Sequence, residues 1–299
     1  MKFIKSVIEY VFNIIYPILK PEIVQRLLRN IGFKFPYYRF AEKLGYRGIV
    51  DFYVNKQLLR MRSYNSPIEI FIFWFGIYGY WEAVQLRLWS KLVLEADIIL
   101  DIGANNGVYS LIASTNTRAK VFAFEPAPDV LDMLRVNVEL NYPNKIEVMP
   151  VLVGDVVGES TLYIPKEGWT DIASLDKEFA KSAYGDSPSL REITCSMTTI
   201  DAVLEKSDRR PEQTVLCKID VEQAEMLVLA GMKNTLATKN VQFVIELLTE
   251  ENFNNVCTLI PANYSIYAIN EVKKSVTLVT KFNSEATNYL FTENNHIVF

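Results

Sequence analysis

Three carboxylates lie within six residues of one short stretch of the chain. The stretch is LCKIDVEQAEMLVLAG, Leu216 to Gly231, and the acids are Asp220, Glu222 and Glu225. An acid at the end of a core strand is costly to bury unless it is paired, hydrogen-bonded or protonated. Acids in this position can bind a metal ion, accept a proton from a substrate, or oppose the dipole of the helix that follows. The role that applies depends on what the rest of the chain places beside them.

A second group of candidate residues follows a predicted strand, Asp97–Ile102. The segment ILDIGANNG contains Gly103 and Gly107, which let the backbone turn tightly and approach a ligand. The next predicted strand ends in Glu125, 22 residues after Gly103, and an acid at about this spacing accepts ribose hydroxyls in dinucleotide-binding folds. Asp101 at the start of the loop would repel a pyrophosphate. It suits a ligand with a ribose and a cationic end, as in S-adenosylmethionine.

The order of the predicted elements indicates how these two motifs meet. From Trp81 onward, strand-like and helix-like segments alternate, which indicates βαβ units and a parallel sheet. Ligands of such sheets bind beyond the carboxyl ends of the strands. The predicted strand VLCKID ends at the same edge as the glycine loop, so we expect Asp220 to face the crevice, with Lys218 on the same face. Asp220 and Glu222 are predicted to orient the acceptor or the cofactor, and either can serve as base.

Five further elements are predicted around these motifs. Ile146–Val153 is predicted to form one strand, and the following GESTLYIP a short extra strand. The Gly/Ser/Asp-rich stretch from Lys166 to Ser189 is predicted to be a mobile loop that helps to recognise the acceptor. Thr199 is expected to cap a helix. Glu222 and Glu225 are placed in the first turn of another helix, where a purely helix-stabilising role stays open.

The N-terminal part begins with an apolar run at helical spacing. Phe3, Val7, Tyr10, Val11 and Ile14 lie on one face, which predicts an amphipathic helix that ends near Pro17. Glu9 interrupts the run and no small-residue cleavage site follows, so a signal peptide is not indicated. We expect the apolar face to cover the protein's own core. Peripheral contact with a membrane surface through this helix is the alternative.

A second apolar run, IFIFWFGIYGYW, extends from Ile70 to Trp81. It is shorter than the roughly 20 residues that span a bilayer. We predict a buried strand here, followed by a glycine turn into a helix from Trp81 to Leu94. The sequence shows no transmembrane segment, and we expect a cytoplasmic protein.

Composition excludes several classes of function. The chain has 299 residues, of which half are hydrophobic, and a net charge of −4 without a Lys/Arg-rich stripe, so nucleic acid is not an expected partner. Its three cysteines form no CxxC pair, so the sequence does not indicate a zinc site built from them. The single histidine, His296, is the fourth residue from the end, where we expect a frayed terminus and no catalytic imidazole. We predict no metal site, although the acids near Asp220 keep one open.

The motifs together resemble those of FkbM-type methyltransferases. LDIGANNG, FAFEPAPDVLDMLRVNVELN, VLVGD and CKIDVEQAEMLVLAG follow in the family's order and spacing, from about Gly79 to Leu248. The resemblance implies a seven-stranded Rossmann-like core that uses S-adenosylmethionine to methylate a hydroxyl of a sugar, a polyketide or a related small molecule. It assigns cofactor binding to Asp101, Gly103, Ala104, Asn105, Gly107, Glu125 and Pro126. It assigns Asp220, Glu222 and Glu225 to the reaction centre.

Two positions depart from the family pattern. Gln223 stands where the family usually has glycine, and GYWE, Gly79 to Glu82, replaces a G-Y-E element. We therefore predict an α/β protein with a mostly helical extension over residues 1–80 and a Rossmann-like methyltransferase domain over residues 81–299. A methyltransferase fold that binds but does not turn over is the first alternative, and a nucleotide-dependent oxidoreductase is the second. The sequence does not name the acceptor, which we expect to be a small molecule or a glycan.

Overall fold

The computed structural model describes residues 2–33, 38–166, 173–182, 189–207, 209–238 and 240–293. Two compact units divide the chain, one spanning Met1–Ala83 and the other Val84–Phe299. His296, the segments 167–172 and 183–188, and two single residues of the second unit lie outside the described residues. Each unit has its own architecture.

The first unit combines four helices with a hairpin. Its elements are α1 (Lys2–Leu19), α2 (Glu22–Asn30), α3 (Tyr38–Leu44), β1 (Gly48–Val54), β2 (Gln57–Ser63) and α4 (Pro67–Phe75). The hairpin turns at Asn55 and Lys56, both with positive φ, as a two-residue turn requires. Tyr46 stacks on Phe73 with ring centroids 3.6 Å apart. The extension is thus mostly helical, with a hairpin that the sequence pattern did not indicate.

The apolar run after Ile70 is helical, so the predicted strand is wrong. Ser66 and Glu69 form a capping box at the start of α4, and Pro67 occupies its first turn, where no backbone N–H is needed. Six consecutive residues of the helix, Glu69 to Trp74, are buried. A helix that is buried all round carries no 3.6-residue apolar period. That is why the pattern was mistaken for a strand.

The N-terminal helix α1 differs from its prediction in two ways. It continues through Pro17 to Leu19, because a proline near the last turn removes only one backbone hydrogen bond. Tyr10, Val11 and Ile14 are exposed, so the expectation that these three side chains cover the core is wrong. The side chains of Phe3 and Val7 lie outside the described part. Among the described residues, no helix is long and apolar enough to cross a bilayer.

The second unit is built on a large sheet flanked by helices. The predicted helix after Trp81 is present as α5 (Ala83–Leu92), extended by a 3-10 turn at Val93–Glu95. The first βαβ units are β3 (Ile98–Ile102), α6 (Val108–Ala113), β4 (Lys120–Phe124), α7 (Pro128–Glu139) and β5 (Ile146–Met149). After an inserted small sheet come β9 (Val215–Ile219), α10 (Glu225–Ala230), α11 (Lys233–Leu236), β10 (Val241–Glu246), α12 (Glu250–Leu259), β11 (Ser265–Asn270), β12 (Ser275–Val279) and β13 (Asn288–Thr292). The alternation predicted from the sequence is confirmed.

Eight strands form the large sheet, in the order β12-β11-β13-β10-β9-β3-β4-β5. Neighbours from β5 to β10 are parallel, whereas β13 runs antiparallel between β10 and β11. The edge strand β12 adds one strand to the seven-stranded core that we expected. All five residues of β3 and of β9 are buried, as in a parallel sheet covered on both faces. The Rossmann-like α/β fold is confirmed.

The connection from β5 to β9 carries a separate three-stranded sheet. Its elements are β6 (Leu152–Val153), β7 (Gly158–Pro165), α8 (Lys177–Ser182), β8 (Leu190–Thr198) and α9 (Ile200–Lys206), and β8 lies between β6 and β7. The predicted single strand Ile146–Val153 is therefore two strands in different sheets. Pro150 separates them, because proline cannot donate a ladder hydrogen bond. The Thr199 cap is confirmed by its Oγ1, which accepts a hydrogen bond of 3.1 Å from Ala202 N.

Candidate active site

The site is set by the point at which the strand order of the large sheet reverses. The chain moves outward from β3 through β4 to β5 and then returns to β9 on the other side of β3. In open α/β sheets the ligand crevice lies at such a switch point, beyond the carboxyl ends of the strands. Here those ends are Ile102, followed by the glycine loop, and Ile219, followed by Asp220. The two motifs singled out by sequence meet at this edge.

Backbone atoms of the two motifs are in direct contact. Asp220 N donates a hydrogen bond of 3.0 Å to Ile102 O. Gly103 has a φ of +81°, and a Cβ at this residue would lie 1.8 Å from the carbonyl oxygen of Asp220. No side chain fits there. The loop after β3 therefore requires glycine for its conformation and for its packing on the next strand.

Hydrogen bonds from the neighbouring strand hold the glycine loop in place. Gly103 N and Ala104 N both donate to Phe124 O, at 3.1 and 2.9 Å. Asn105 adopts a φ of +50°, and its side-chain oxygen accepts a hydrogen bond from the next backbone N–H. Gly107 has a φ of +93° at the start of α6. The predicted demand for glycine and asparagine in this loop agrees with the backbone.

Glu125 joins the loop to the segment that follows β4. One carboxylate oxygen accepts a 3.0 Å hydrogen bond from Asn105 N, and the other accepts a 2.8 Å hydrogen bond from Ala127 N. Each carboxylate oxygen can accept more than one hydrogen bond. Pro126 lies between these contacts, and its carbonyl oxygen is 3.9 Å from the Cys195 sulfur. Glu125 thus shapes the crevice whether or not it also binds a ribose.

Beneath the loop lies a buried ion cluster. Asp101 and Lys218 are side by side on β3 and β9, and both are fully buried. Asp101 accepts a 2.5 Å hydrogen bond from the Ser110 hydroxyl, while Lys218 Nζ lies 2.8 Å from Asp220 Oδ2. Burial raises the pKa of Asp101 to about 6, against the opposing effects of the Ser110 hydrogen bond and the Lys218 charge. Asp101 is buried, so it influences the charge of the crevice mainly through the Lys218–Asp220 ion pair.

Residues that the sequence analysis did not single out complete the surroundings of Lys218. Its ammonium lies 5.1 Å from the centre of the Tyr109 ring, a cation–π contact. The Tyr109 hydroxyl accepts a hydrogen bond from the Gln85 side chain. The carboxylate of Glu271 in turn accepts the backbone N–H groups of Val84 and Gln85 at the start of α5. Of these residues, only Tyr109 lies close to a motif identified in the sequence, since it follows Gly107 by two residues in α6.

Glu222 does not lie in a helix, which corrects one expectation. It has a φ of +51° and is followed by Gln223 at +78°, so both residues form a left-handed turn. The helix α10 starts at Glu225. A left-handed φ favours glycine, which gives a physical reason for the residue that the family usually has at the position of Gln223. Gln223 is held there by a hydrogen bond from the Asn252 side chain to its Oε1.

Glu225 is buried at the start of α10, as the helix-stabilising interpretation requires. Its Oε1 accepts a 3.1 Å hydrogen bond from Gln223 N. Burial raises its pKa to about 7, and the negative charge of Asp220 adds to the rise. Glu225 therefore holds a proton in part of the molecules at neutral pH.

A fourth acid, Glu246, also belongs to the site. It ends β10 and follows Ile245, which pairs with Ile219 immediately before Asp220. Carboxylate oxygens of Asp220, Glu222 and Glu246 lie within 4.8 Å of one another. Such a cluster could share a cation, but exposed acids commonly gather without one, so no metal is assigned. Ligands bind beyond the carboxyl ends of parallel strands, and this rule, which predicts Asp220 in the crevice, also applies to Glu246 at the end of the strand VQFVIE.

Comparison with known protein families identifies the family of this chain. The model of the methyltransferase FkbM domain matches residues 101–283, from Asp101 in β3 to the segment before β13. The chain belongs to the FkbM methyltransferase family. The match includes the glycine loop, Glu125 and all four acids of the crevice.

The match to each individual relative covers only part of that relative's length. Hexuronic acid methyltransferase AglP of Haloferax volcanii is 32% identical over 168 residues, which are 55% of this chain and 61% of that protein. AMB antimetabolite synthetase AmbE of Pseudomonas aeruginosa is 30% identical over 201 residues, 57% of this chain and 9% of that one. The crystal structure of methyltransferase FkbM from Methylobacillus flagellatus has a TM-score of 0.39 at 15% identity, covering 66% of this chain and 44% of that one. The chain thus spans less than two thirds of each of these three proteins.

Replacing Gly103 tests the backbone contact at the switch point. Gly103→Ala should lower the free energy of unfolding by more than about 2 kcal/mol, because the methyl group meets a backbone oxygen and the φ is unfavourable. The matched control is Gly158→Ala, where a Cβ has no neighbour within 4 Å. It should change the stability by less than about 0.5 kcal/mol. Urea unfolding measures both, and equal stabilities would contradict the contact.

Glu225 should make the stability depend on pH. Its folded pKa of about 7 exceeds the ordinary value of 4.5, so the folded state retains a proton that the unfolded state loses. The associated stability is complete below about pH 4.5 and is lost as the pH rises through about 7. Relative to the wild type, Glu225→Gln should therefore gain about 2–3 kcal/mol between pH 4.5 and 8. Urea unfolding at a series of pH values measures this difference, and a difference that does not vary with pH would contradict the burial effect.

Proposed function

We propose that this protein transfers a methyl group from S-adenosylmethionine to a hydroxyl of a sugar, a glycan or a related metabolite. The observation that carries the proposal is the backbone contact between Gly103 and Asp220. It brings the glycine loop, an acid next to that loop and a cluster of carboxylates to one crevice. Membership of the FkbM family supports methyl transfer. We assign the reaction to the unit Val84–Phe299.

The residues of the crevice fit the proposed cofactor. Glu125 directly follows β4 and contacts the glycine loop, the position at which an acid accepts ribose hydroxyls in dinucleotide-binding folds. The loop from Gly103 to Gly107, with Ala104 and Asn105, offers a backbone surface close to the position of the ribose, and Pro126 borders it. The acids around Asp220 would repel a phosphate and attract a cation. S-adenosylmethionine has a ribose, no phosphate, and both a sulfonium and an ammonium.

The donor, when bound, supplies a methyl group on a positively charged sulfur. The acceptor hydroxyl must lose a proton, and the described residues contain no histidine to accept it. We assign this proton to the carboxylate of Asp220, whose side chain is 30% exposed and therefore reachable. Lys218, buried beneath it, fixes the orientation of that carboxylate through the 2.8 Å ion pair. Glu222, displayed on the left-handed turn, orients the acceptor.

The charge of the crevice supports a hydroxyl as the reacting group. Carboxylates of Asp220, Glu222 and Glu246 lie close together, so an anionic acceptor atom beside them would be repelled. A neutral hydroxyl can instead donate a hydrogen bond to one of these oxygens. The related protein named a hexuronic acid methyltransferase favours a sugar as the molecule that carries the hydroxyl.

Cofactor binding is tested by calorimetry on the full chain. S-adenosylmethionine and S-adenosylhomocysteine should both bind, whereas NAD should not. Binding of NAD without binding of the methyl donor would contradict the proposal and favour an oxidoreductase. Glu125→Gln should weaken S-adenosylhomocysteine binding by about 1.5–3 kcal/mol, because hydrogen bonds to a charged group are lost.

The 2′-deoxy analogue of S-adenosylhomocysteine separates the two roles of Glu125. If Glu125 binds the ribose, the analogue should bind the wild type more weakly, and Glu125→Gln should weaken its binding less than it weakens the binding of S-adenosylhomocysteine. If Glu125 only holds Asn105 and Ala127, the substitution should weaken both ligands equally. The second result would remove Glu125 from the cofactor site.

Asp220 and Glu222 should respond differently to amide substitution. Asp220→Asn should reduce both cofactor affinity and turnover, with turnover falling by at least about 100-fold if Asp220 is the base. Glu222→Gln should reduce turnover and leave cofactor affinity nearly intact. Turnover is measured as S-adenosylhomocysteine released with a panel of monosaccharides, hexuronic acids and their glycosides. Parallel assays with magnesium and with a chelator reveal any metal dependence, and circular dichroism verifies folding.

Small and equal effects of both substitutions would contradict a reaction centre at these acids. Retained cofactor affinity without turnover on any acceptor of the panel would favour the non-catalytic alternative.

A further inference from the structure

The first two helices turn their apolar faces away from the unit to which they belong. On α1, the exposed apolar residues are Tyr10, Val11, Ile14, Ile15 and Ile18. At 100° per residue they occupy one side of the helix, and Ile18 is 68% exposed. An ordinary surface helix shows the reverse, with its apolar side packed on the core. Among the described residues of its own unit, nothing covers the exposed face of α1.

The opposite side of α1 attaches the helix to α3. Phe12 is buried and stacks on Phe40, with ring centroids 4.4 Å apart. Asn13 accepts a 2.6 Å hydrogen bond from the ammonium of Lys43. That ammonium also lies within 6 Å of the ring centres of Phe12 and Tyr16. Aromatic and polar contacts thus fix the orientation of α1 with the aliphatic side outward.

The second helix, α2, repeats this arrangement. Arg26 and Arg29 donate to the carbonyl oxygens of Ile49 and Asp51 in β1, at 2.9 and 2.6 Å. Gln25 is also buried, and its side chain bonds to Lys20 O. The long polar side chains therefore hold α2 on its own unit.

Three aliphatic residues are left on the outer side of α2. Ile23, Leu27 and, just after the helix, Ile31 recur every four residues and are 70%, 59% and 78% exposed. Two consecutive helices with this inverted pattern form what we call the N-terminal apolar face: Tyr10, Ile14, Ile18, Ile23, Leu27 and Ile31. Exposed apolar residues in such a number mark an interaction surface.

Charge favours a lipid surface as the occupant. Residues 1–47 contain nine lysines and arginines against three acids, whereas the whole chain carries a net charge of −4. The remaining residues contain 22 lysines and arginines (31 − 9) against 32 acids (35 − 3), so the part that bears the apolar face is basic whereas the rest of the chain is acidic in total. Helices with an apolar face and a basic polar face lie in the interface of anionic bilayers. No helix among the described residues can span a bilayer, so contact would be peripheral.

We propose that the N-terminal apolar face docks this protein on an anionic membrane surface. The aliphatic side chains of α1 and α2 would enter the boundary between headgroups and acyl chains, while exposed basic residues of the same segment, such as Lys20, Arg39 and Arg47, would interact with the anionic headgroups. This inference is independent of the reaction assigned to the other unit, because it rests on residues 2–47 alone.

Vesicle flotation of the full chain tests the proposal. The wild type should float with vesicles of phosphatidylcholine containing phosphatidylglycerol, and less with phosphatidylcholine alone. Salt at about 0.5 M should weaken the binding, because it screens the charges but not the apolar contact. Ile14→Glu combined with Ile18→Glu should reduce partitioning by about 100-fold or more, at about tenfold or more for each aliphatic group withdrawn from the bilayer.

Matched controls separate docking from loss of structure. Val272→Glu with Leu278→Glu alters two apolar residues of the second unit that are 89% and 62% exposed, and should leave partitioning unchanged. Ile23→Glu with Leu27→Glu tests α2 independently of α1. The melting temperature of each variant should stay close to that of the wild type, since all these side chains are exposed. If the α1 variant does not fold, the α2 variant decides.

Three results would overturn the proposal. The first is a wild type that fails to float with anionic vesicles. The second is equal partitioning of the wild type and the folded face variants. The third is a dimer in sedimentation velocity without lipid that Ile14→Glu with Ile18→Glu converts to a monomer, since the face would then bind a second copy of the chain.

Discussion

The contact of Gly103 with the Asp220 carbonyl oxygen is the constraint on which the site depends. A parallel sheet brings the ends of β3 and β9 to one edge, but only a residue without a side chain lets the two following segments touch. That contact fixes the start of the glycine loop and the direction of the Asp220 side chain at the same time. The loop, the acid at the end of β4 and the acids after β9 and β10 then share one crevice because their strands are neighbours.

Beneath this contact, one buried cation organises several acids. Lys218 pairs with Asp220, lies beside Asp101 in register, and rests on the Tyr109 ring. A buried ammonium without such partners would be strongly unfavourable. Because two of the nearby acids, Asp101 and Glu225, have pKa values raised by burial, the total charge of the cluster changes between about pH 6 and 7.

Sequence patterns predicted those features that depend on periodicity and on strand ends. Local rules predict the alternation from β3 to β10, the glycine loop, Glu125 and the placement of Lys218 on the same face as Asp220. Other features depended on tertiary contacts. The helix α4 has no apolar period because it is buried all round. Glu222 lies outside the helix because Gln223 adopts a left-handed φ and is held by a hydrogen bond from Asn252. Glu246 could have been identified by the rule applied to Asp220. Gln85 and Glu271 could not, because they join segments almost 190 residues apart in sequence.

The position of β13 determines when the large sheet can be completed during synthesis. This strand, Asn288–Thr292, lies between β10 and β11, both of which precede it in the chain. Until residue 292 has left the ribosome, the facing edges of β10 and β11 have no partner, and each presents unpaired N–H and C=O groups. Completion of the sheet is thus a late, non-local event of the kind that slows folding and leaves strand edges open to wrong pairing. Nascent chains stalled before β13 would consequently expose an unpaired edge of β10, the strand that ends in Glu246.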